Sequence, residues 1–290
     1  MKEYLKIVKN VLKYGEKKDD RTGVGVISRT GEIFRHDMSL GFPLITTKKM
    51  PYRLVKTELE FFIKGITDKE WLKERNNHIW DEWCTPMKVS YAHDEETKKK
   101  MLEERDLGPL YGWQWRHFGA EYKDHETDYT GQGVDQLKRM VNELKNNPKS
   151  KQILVVAWNA VDVDKVIPPF CHFAFQATIS NNKLNLYWNQ RSADVALGLP
   201  FNIASYATLL HLLALEVGCQ EGMLVGLLAD THIYSNHVEG LKEQLTRDVN
   251  KYELPKIETN NFKSIFDWNS DDTELINYKS YPTIKFKIAV

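Results

Sequence analysis

Apolar residues recur along this chain at two different spacings, and together these sketch a fold. Tyr4, Ile7, Val8, Val11 and Leu12 fall at helical spacing, and Gly15 supplies a stop. Arg53 to Lys64 repeats that pattern and halts at Gly65, and Lys69 to Asn76 gives a second helical stretch leading into Ile79-Trp80-Asp81-Glu82-Trp83. Val134 to Lys145 is amphipathic and ends at Asn146-Asn147-Pro148. Gln152 to Trp158 reads as a strand, and Phe173 to Ile179 with Leu184 to Gln190 reads as a hairpin turning at Asn181-Asn182. Ile203 to Val217 is apolar on nearly all sides, which predicts a buried helix, and Val225 to Ala229 predicts a short core strand. Strands and helices mix without regular βαβ alternation, so the predicted class is α+β, a mixed β-sheet flanked by helices.

Residues 84–106 depart from this pattern, because lysines and glutamates crowd there with few apolar anchors. A charge run of this kind reads as a solvated helix or insertion. With no repeat and no low-complexity linker, one domain over 1–290 is expected, carrying a charged insertion or small subdomain around 84–106.

Composition narrows the partners. Lys+Arg and Asp+Glu balance at 40 each in 290 residues, so no global basic field recruits nucleic acid. Three cysteines, Cys84, Cys171 and Cys219, contain no CxxC pair and argue against a disulfide framework or zinc site. His232 and His237 fit no helical metal face, and no metal is expected. The N-terminus is too charged for a signal peptide, no apolar run reaches the ~18 residues that span a bilayer, and a cytoplasmic setting is the simplest expectation.

The candidate chemistry is concentrated. Cys171 and His172 are adjacent, followed by Gln190-Arg191-Ser192-Ala193-Asp194 and Asn202. A soft nucleophile, an anion clamp and a side-chain amide suggest covalent catalysis on a nucleotide. Alone, Cys171 reads equally as a small buried hydrophobe. Arg191 is the better candidate to lower its pKa, because neighbours on a strand point to opposite faces and His172 need not touch the sulfur. Asn202 is either a helix N-cap or an amide that pairs with a uracil-like ring. On a helix, Leu54, Val55, Phe61 and Phe62 share the face of Glu58, whereas Lys56, Glu60 and Lys64 point away. Glu58 is then either a proton shuttle with a raised pKa or a buried structural carboxylate. Trp80 and Trp83, three apart on a helical face, would wall a flat ligand or fill a core. Arg21-Thr22-Gly23-Val24-Gly25 is a turn into a strand and lacks the third glycine of a dinucleotide loop.

Several longer motifs then agree. Gly41-Phe42-Pro43-Leu44, Ile79-Trp80-Asp81-Glu82-Trp83, Leu107-Gly108-Pro109-Leu110-Tyr111-Gly112, Pro169-Phe170-Cys171-His172, Gln190-Arg191-Ser192, Gly198-Leu199-Pro200-Phe201-Asn202 and Asp230-Thr231-His232-Ile233-Tyr234 occur in an order that resembles the thymidylate synthase family. The resemblance implies that Cys171 adds to carbon 6 of deoxyuridylate while Asn202 holds the base, and that Glu58 and Tyr111 move protons. It implies 5,10-methylenetetrahydrofolate as cosubstrate. Arg21, Arg191 and Ser192 would bind phosphate, with Gln190 and Asp194 also near the nucleotide, and His232 and Tyr234 would hold the sugar. Lys48, Ile79, Trp80, Trp83, Asp194, Leu197, Gly198, Phe201 and Ala289 would shape the folate site, and Ile288-Ala289-Val290 would close over it. It also implies a homodimer joined through the sheet, with arginines exchanged across the interface.

The pattern breaks at identifiable places. Lys151 and Gln152 stand where the family places an arginine pair that reaches the partner's phosphate site. Lysine cannot make the bidentate fork and glutamine has no charge; each lost charged hydrogen bond costs about 1.5–3 kcal/mol. Asn189 replaces an aromatic residue, Ala196 a phenylalanine, and Leu228-Ala229 a glycine pair. Asn189 and Ala196 suggest a roomier or wetter pocket, which keeps a deoxyuridylate hydroxymethylase as an alternative. A catalytically silent nucleotide- or RNA-binding protein is the more distant one.

Overall fold

A computed structural model describes residues 1–92 and 94–288. Helices are α1 (Lys2–Tyr14), α2 (Tyr52–Ile63), α3 (Glu70–Lys73), α4 (Glu95–Glu103), α5 (Tyr111–His117), α6 (Gln136–Asn146), α7 (Gly198–Val217) and α8 (Val238–Thr246). Strands are β1 (Glu16–Lys18), β2 (Val26–Asp37), β3 (Leu154–Val156), β4 (His172–Ser180), β5 (Lys183–Asp194), β6 (Gln220–Tyr234), β7 (Lys256–Thr259) and β8 (Thr273–Ile276). The main sheet has six strands in the order β1-β2-β6-β5-β4-β3. Every neighbouring pair is antiparallel except β5 and β6. A parallel pair needs a long crossover, and α7 is that crossover. The sheet is therefore mixed, as the α+β pattern predicts.

Helices α1, α6 and α7 pack on the sheet. Along β5, Leu184, Leu186, Trp188 and Gln190 face inward and are buried, while Lys183, Asn185, Tyr187 and Asn189 stand on the other face. Gly226 on β6 lets Trp188 lie across it, since a Cβ there would come within 2.3 Å of the indole. Asn181 and Asn182 both take positive φ, 50° and 57°, the conformation that closes the β4–β5 hairpin.

Element boundaries differ from the sequence reading where tertiary contacts intervene. The helix expected from Ile203 begins at Gly198, with Pro200 in its first turn, where a missing N–H is harmless. This overturns the N-cap reading of Asn202, which lies inside the helix. The strand expected over 225–229 is the centre of the much longer β6. Only four residues of the stretch after Lys69 are helical, and residues 79–82 form a turn, so Trp80 and Trp83 do not share a helical face. Glu60, expected to point outward, is buried and accepts the Ser270 N–H at 2.8 Å and Lys64 Nζ at 2.5 Å. The charged stretch holds α4, whose one buried residue is Met101. Both its ends are anchored, Cys84, Thr85 and Asp106 being buried. By length and hydropathy α7 could cross a membrane, contrary to the sequence reading, but 78% of its apolar window is buried inside the protein. It is the core helix.

Candidate active site

The Cys171 loop enters β4, and its position is fixed from two sides. The backbone N–H of Cys171 donates to the Tyr111 hydroxyl at 2.7 Å. Tyr111 opens α5, which packs directly on α2; a Cβ on Gly112 would lie 2.5 Å from the Phe62 carbonyl oxygen. From β5, Arg191 Nε and Nη2 donate to the carbonyls of Phe170 and Pro169 at 2.8 and 2.7 Å. The guanidinium thus holds the turn before the thiol as well as placing charge beside it.

The thiol is not activated in the simple way the sequence suggested. Burial pushes its pKa up; Arg191, then Arg21 and the Tyr111 hydroxyl, pull it back, and the net result stays above the ordinary thiol value. Desolvation outweighs two cations here. His172 points inward, as strand alternation requires. Its ring stacks on Tyr111 with centroids 4.2 Å apart at 12°, and its Nδ1 lies 2.9 Å from the Tyr206 hydroxyl. Burial drives its pKa down to about 3, so it is neutral at pH 7 and a poor proton acceptor. Its ring supports Tyr111 from one face.

Glu58 faces the same region from α2. Its carboxylate accepts Trp80 Nε1–H at 2.7 Å. Burial raises its pKa to about 7, with the indole bond acting in the opposite direction. A carboxyl poised near neutrality can both take and give a proton. Trp80 also meets Tyr111 edge-on, at 6.4 Å between ring centroids.

Asn202 is oriented by a relay that its sequence position does not reveal. Trp188 Nε1 donates to Gln190 Oε1 at 3.0 Å, and Gln190 Nε2 donates to Asn202 Oδ1 and the Ser192 carbonyl, each at 2.9 Å. Gln190 is 2% exposed and spends its amide on protein. It therefore sets the orientation of the Asn202 amide. The spacing of Trp188 and Gln190 on one strand face was the signal available for this. With Oδ1 receiving one proton, Asn202 still offers a second acceptor lone pair and its Nδ2 donors.

The remaining candidates divide. Asp20 locks the turn bearing Arg21 by accepting from Thr22 N at 3.0 Å and Gly25 N at 2.7 Å. Ser192 and Asp194 follow Arg191 on β5, and Asp194 Oδ1 accepts Ala196 N–H at 2.9 Å, turning the chain into α7. His232 and Tyr234, at the end of β6, meet edge-on with centroids 5.2 Å apart. Leu197 and Gly198 begin α7; a Cβ on Gly198 would make only ordinary contacts, the nearest at 3.7 Å, so the protein's own packing does not demand glycine there. Phe201 packs against the core from a half-buried position. Ile79, Trp83, Tyr91, Leu102 and Ile288 line a cavity of about 580 Å³, with Trp83 and Tyr91 stacked at 5.8 Å. A concave cavity with stacked aromatic rings on its wall has the character of a small-molecule site.

Other candidates stand apart from this cluster. Lys48 is turned inward: it donates to the Ala196 carbonyl at 2.6 Å and lies 4.7 Å from the Phe286 ring, and burial lowers its pKa to about 8. Its ammonium is committed to the protein's own backbone. Lys151 and Gln152 are exposed ahead of edge strand β3, and neither side chain bonds a described residue. Asn189 stands on the face opposite Gln190, and Ala196 is fully buried. Ala289 and Val290 lie outside the described residues.

A single thiol held between an arginine and a tyrosine, a near-neutral carboxyl and an oriented amide define an enzyme site built for nucleophilic addition. The chain belongs to the thymidylate synthase family, whose sequence model matches residues 2–290. It is 40% identical over 291 residues to the thymidylate synthase of varicella-zoster virus (strain Dumas), covering 99% of this chain and 94% of that protein. It is 39% identical over 320 residues to the thymidylate synthase of Staphylococcus haemolyticus, covering 99% and 98% respectively. It is also 44% identical over 288 residues to a bifunctional dihydrofolate reductase-thymidylate synthase of Paramecium tetraurelia, spanning 61% of that longer protein.

Proposed function

We propose that this protein converts dUMP to dTMP by reductive methylation, with 5,10-methylenetetrahydrofolate as cosubstrate. The convergence of Tyr111 on the Cys171 backbone, with the near-neutral Glu58 beside it, carries the reading. The Cys171 thiolate attacks carbon 6 of the pyrimidine. Asn202, set by Gln190, pairs with the uracil edge and favours charge on the ring oxygen. Glu58 and Tyr111 manage the protons, including removal of the one on carbon 5. Arg191, Arg21 and Ser192 receive the phosphate, and His232 and Tyr234 the deoxyribose. Trp80, Ile79, Trp83, Leu197, Gly198 and Phe201 would hold the folate, which when bound supplies the one-carbon unit and the hydride. Ile288, exposed at the cavity rim, belongs to the segment that excludes water.

The same reading includes a homodimer. Ile33, Leu154 and Leu227 on three strands of the sheet are 49%, 44% and 40% exposed, large apolar side chains set among polar ones on one sheet face. Pairing two such faces buries them and sets Lys151 and Gln152 toward the partner.

Incubation with 5-fluoro-dUMP and methylenetetrahydrofolate should give a stable adduct at Cys171 by mass spectrometry. Turnover of dUMP should give dTMP with a rise in dihydrofolate absorbance. A hydroxymethylated product with no absorbance rise would replace this reading by the hydroxymethylase, and absence of any adduct would remove both.

A further inference from the structure

We propose that Lys69 is a positioning residue for the Glu58 carboxyl, acting through the turn that carries Trp80. The inference rests on Glu58 being the group that moves protons. Lys69 is 0% exposed. Its ammonium donates to three main-chain carbonyls: Asp81 at 2.8 Å, Trp83 at 2.8 Å and Met101 at 2.5 Å. Three donors meet three acceptors, so the cation is satisfied without a carboxylate. Burial lowers its pKa to about 8, which leaves it protonated at neutral pH.

The identity of the three carbonyls gives the lysine its role. Asp81 and Trp83 bracket the end of an irregular turn whose carbonyls have no helix to bond them. Met101 belongs to α4 and is that helix's one buried residue. Lys69 therefore pins the charged segment and the Trp80 turn to one point. The turn's other end is fixed separately, by Asn77 Nδ2 donating to the Leu54 carbonyl of α2 at 3.0 Å. Between these anchors, Trp80 delivers its indole N–H to Glu58 at 2.7 Å. That bond favours the ionised carboxylate against burial. Releasing one anchor lets the indole leave its line to the carboxylate, and Glu58 then holds its proton to higher pH. Charge-run composition around 84–106 concealed this, because the functional contact is a backbone carbonyl.

The test is the Glu58 titration in Lys69→Met, followed in unliganded protein by NMR of ¹³C-carboxyl-labelled glutamate, with Glu58→Gln assigning the signal. The midpoint should rise by about 0.5–1 pH unit, the scale of one lost hydrogen bond to a carboxylate. The acid limb of tritium release from carbon 5 of labelled dUMP should move with it. Trp80→Phe should give a shift of the same sign, and the double variant should add nothing to it. Should Lys69→Met fail to fold, Lys69→Gln, which keeps two donors, should give a smaller shift in the same direction. An unmoved Glu58 midpoint, or additive shifts in the double variant, overturns the proposal. Retained tritium release in Glu58→Gln would instead sink the proton-transfer reading while leaving the NMR result to stand by itself.

Discussion

Replacing Glu58 by glutamine should abolish turnover and yet stabilise the protein above neutral pH. Burial raises the Glu58 pKa from 4.5 to about 7 in the folded chain. At about 1.4 kcal/mol per pH unit, ionising it in place costs about 3 kcal/mol relative to the unfolded chain. The raised pKa means that the stabilising contribution is complete below about pH 4.5 and lost as pH rises through about 7. Glutamine has the shape of the protonated acid and still accepts the Trp80 indole N–H. It never ionises, so it escapes that cost. Part of the gain is lost because Glu58 is only half-buried and solvent screens its charge, leaving about 2 kcal/mol. For a chain of 290 residues that corresponds to a rise in Tm of about 3 °C at pH 8.5, with little difference at pH 4.5. Thermal unfolding of both proteins at the two pH values measures it, independently of activity. A Tm difference that does not change with pH, or a wild type more stable at pH 8.5, would refute the burial argument.

Tyr111→Phe removes the acceptor of the Cys171 N–H and a donor to the sulfur; stability should fall by about 1–3 kcal/mol, and the pH midpoint of iodoacetamide alkylation should move up, an unmoved midpoint removing Tyr111 from thiol control. Asn202→Asp keeps the bond from Gln190 but reverses part of the donor pattern, so a competition assay should shift preference toward deoxycytidylate; no shift would take Asn202 out of base reading. Gly226→Ala drives a methyl into the Trp188 ring and should cost about 1–3 kcal/mol in urea unfolding, with an unchanged midpoint contradicting the packing described.

Much of this molecule was legible in its sequence, because some physics is local. Hydrophobic period alone placed α1, α2, α6 and the β4–β5 hairpin, where Asn181 and Asn182 take the positive φ that asparagine tolerates. The motif order placed the family, and the apolar neighbours of Glu58 marked it as a carboxylate on a buried stripe, with a proton shuttle as one of its two readings. What the sequence left open depended on partners distant along the chain. Whether Asn202 capped a helix or read a base turned on Gln190 and on where α7 begins. Whether Arg191 outweighed burial at Cys171 turned on how deeply the sulfur sits. Glu60 lost its solvent to Ser270, far down the chain, and Lys69 found three carbonyls that no residue pattern encodes. Period and propensity act over one or two turns of chain. Desolvation and hydrogen-bond partnership are set by what lies nearby in space, and only the packed structure decides that.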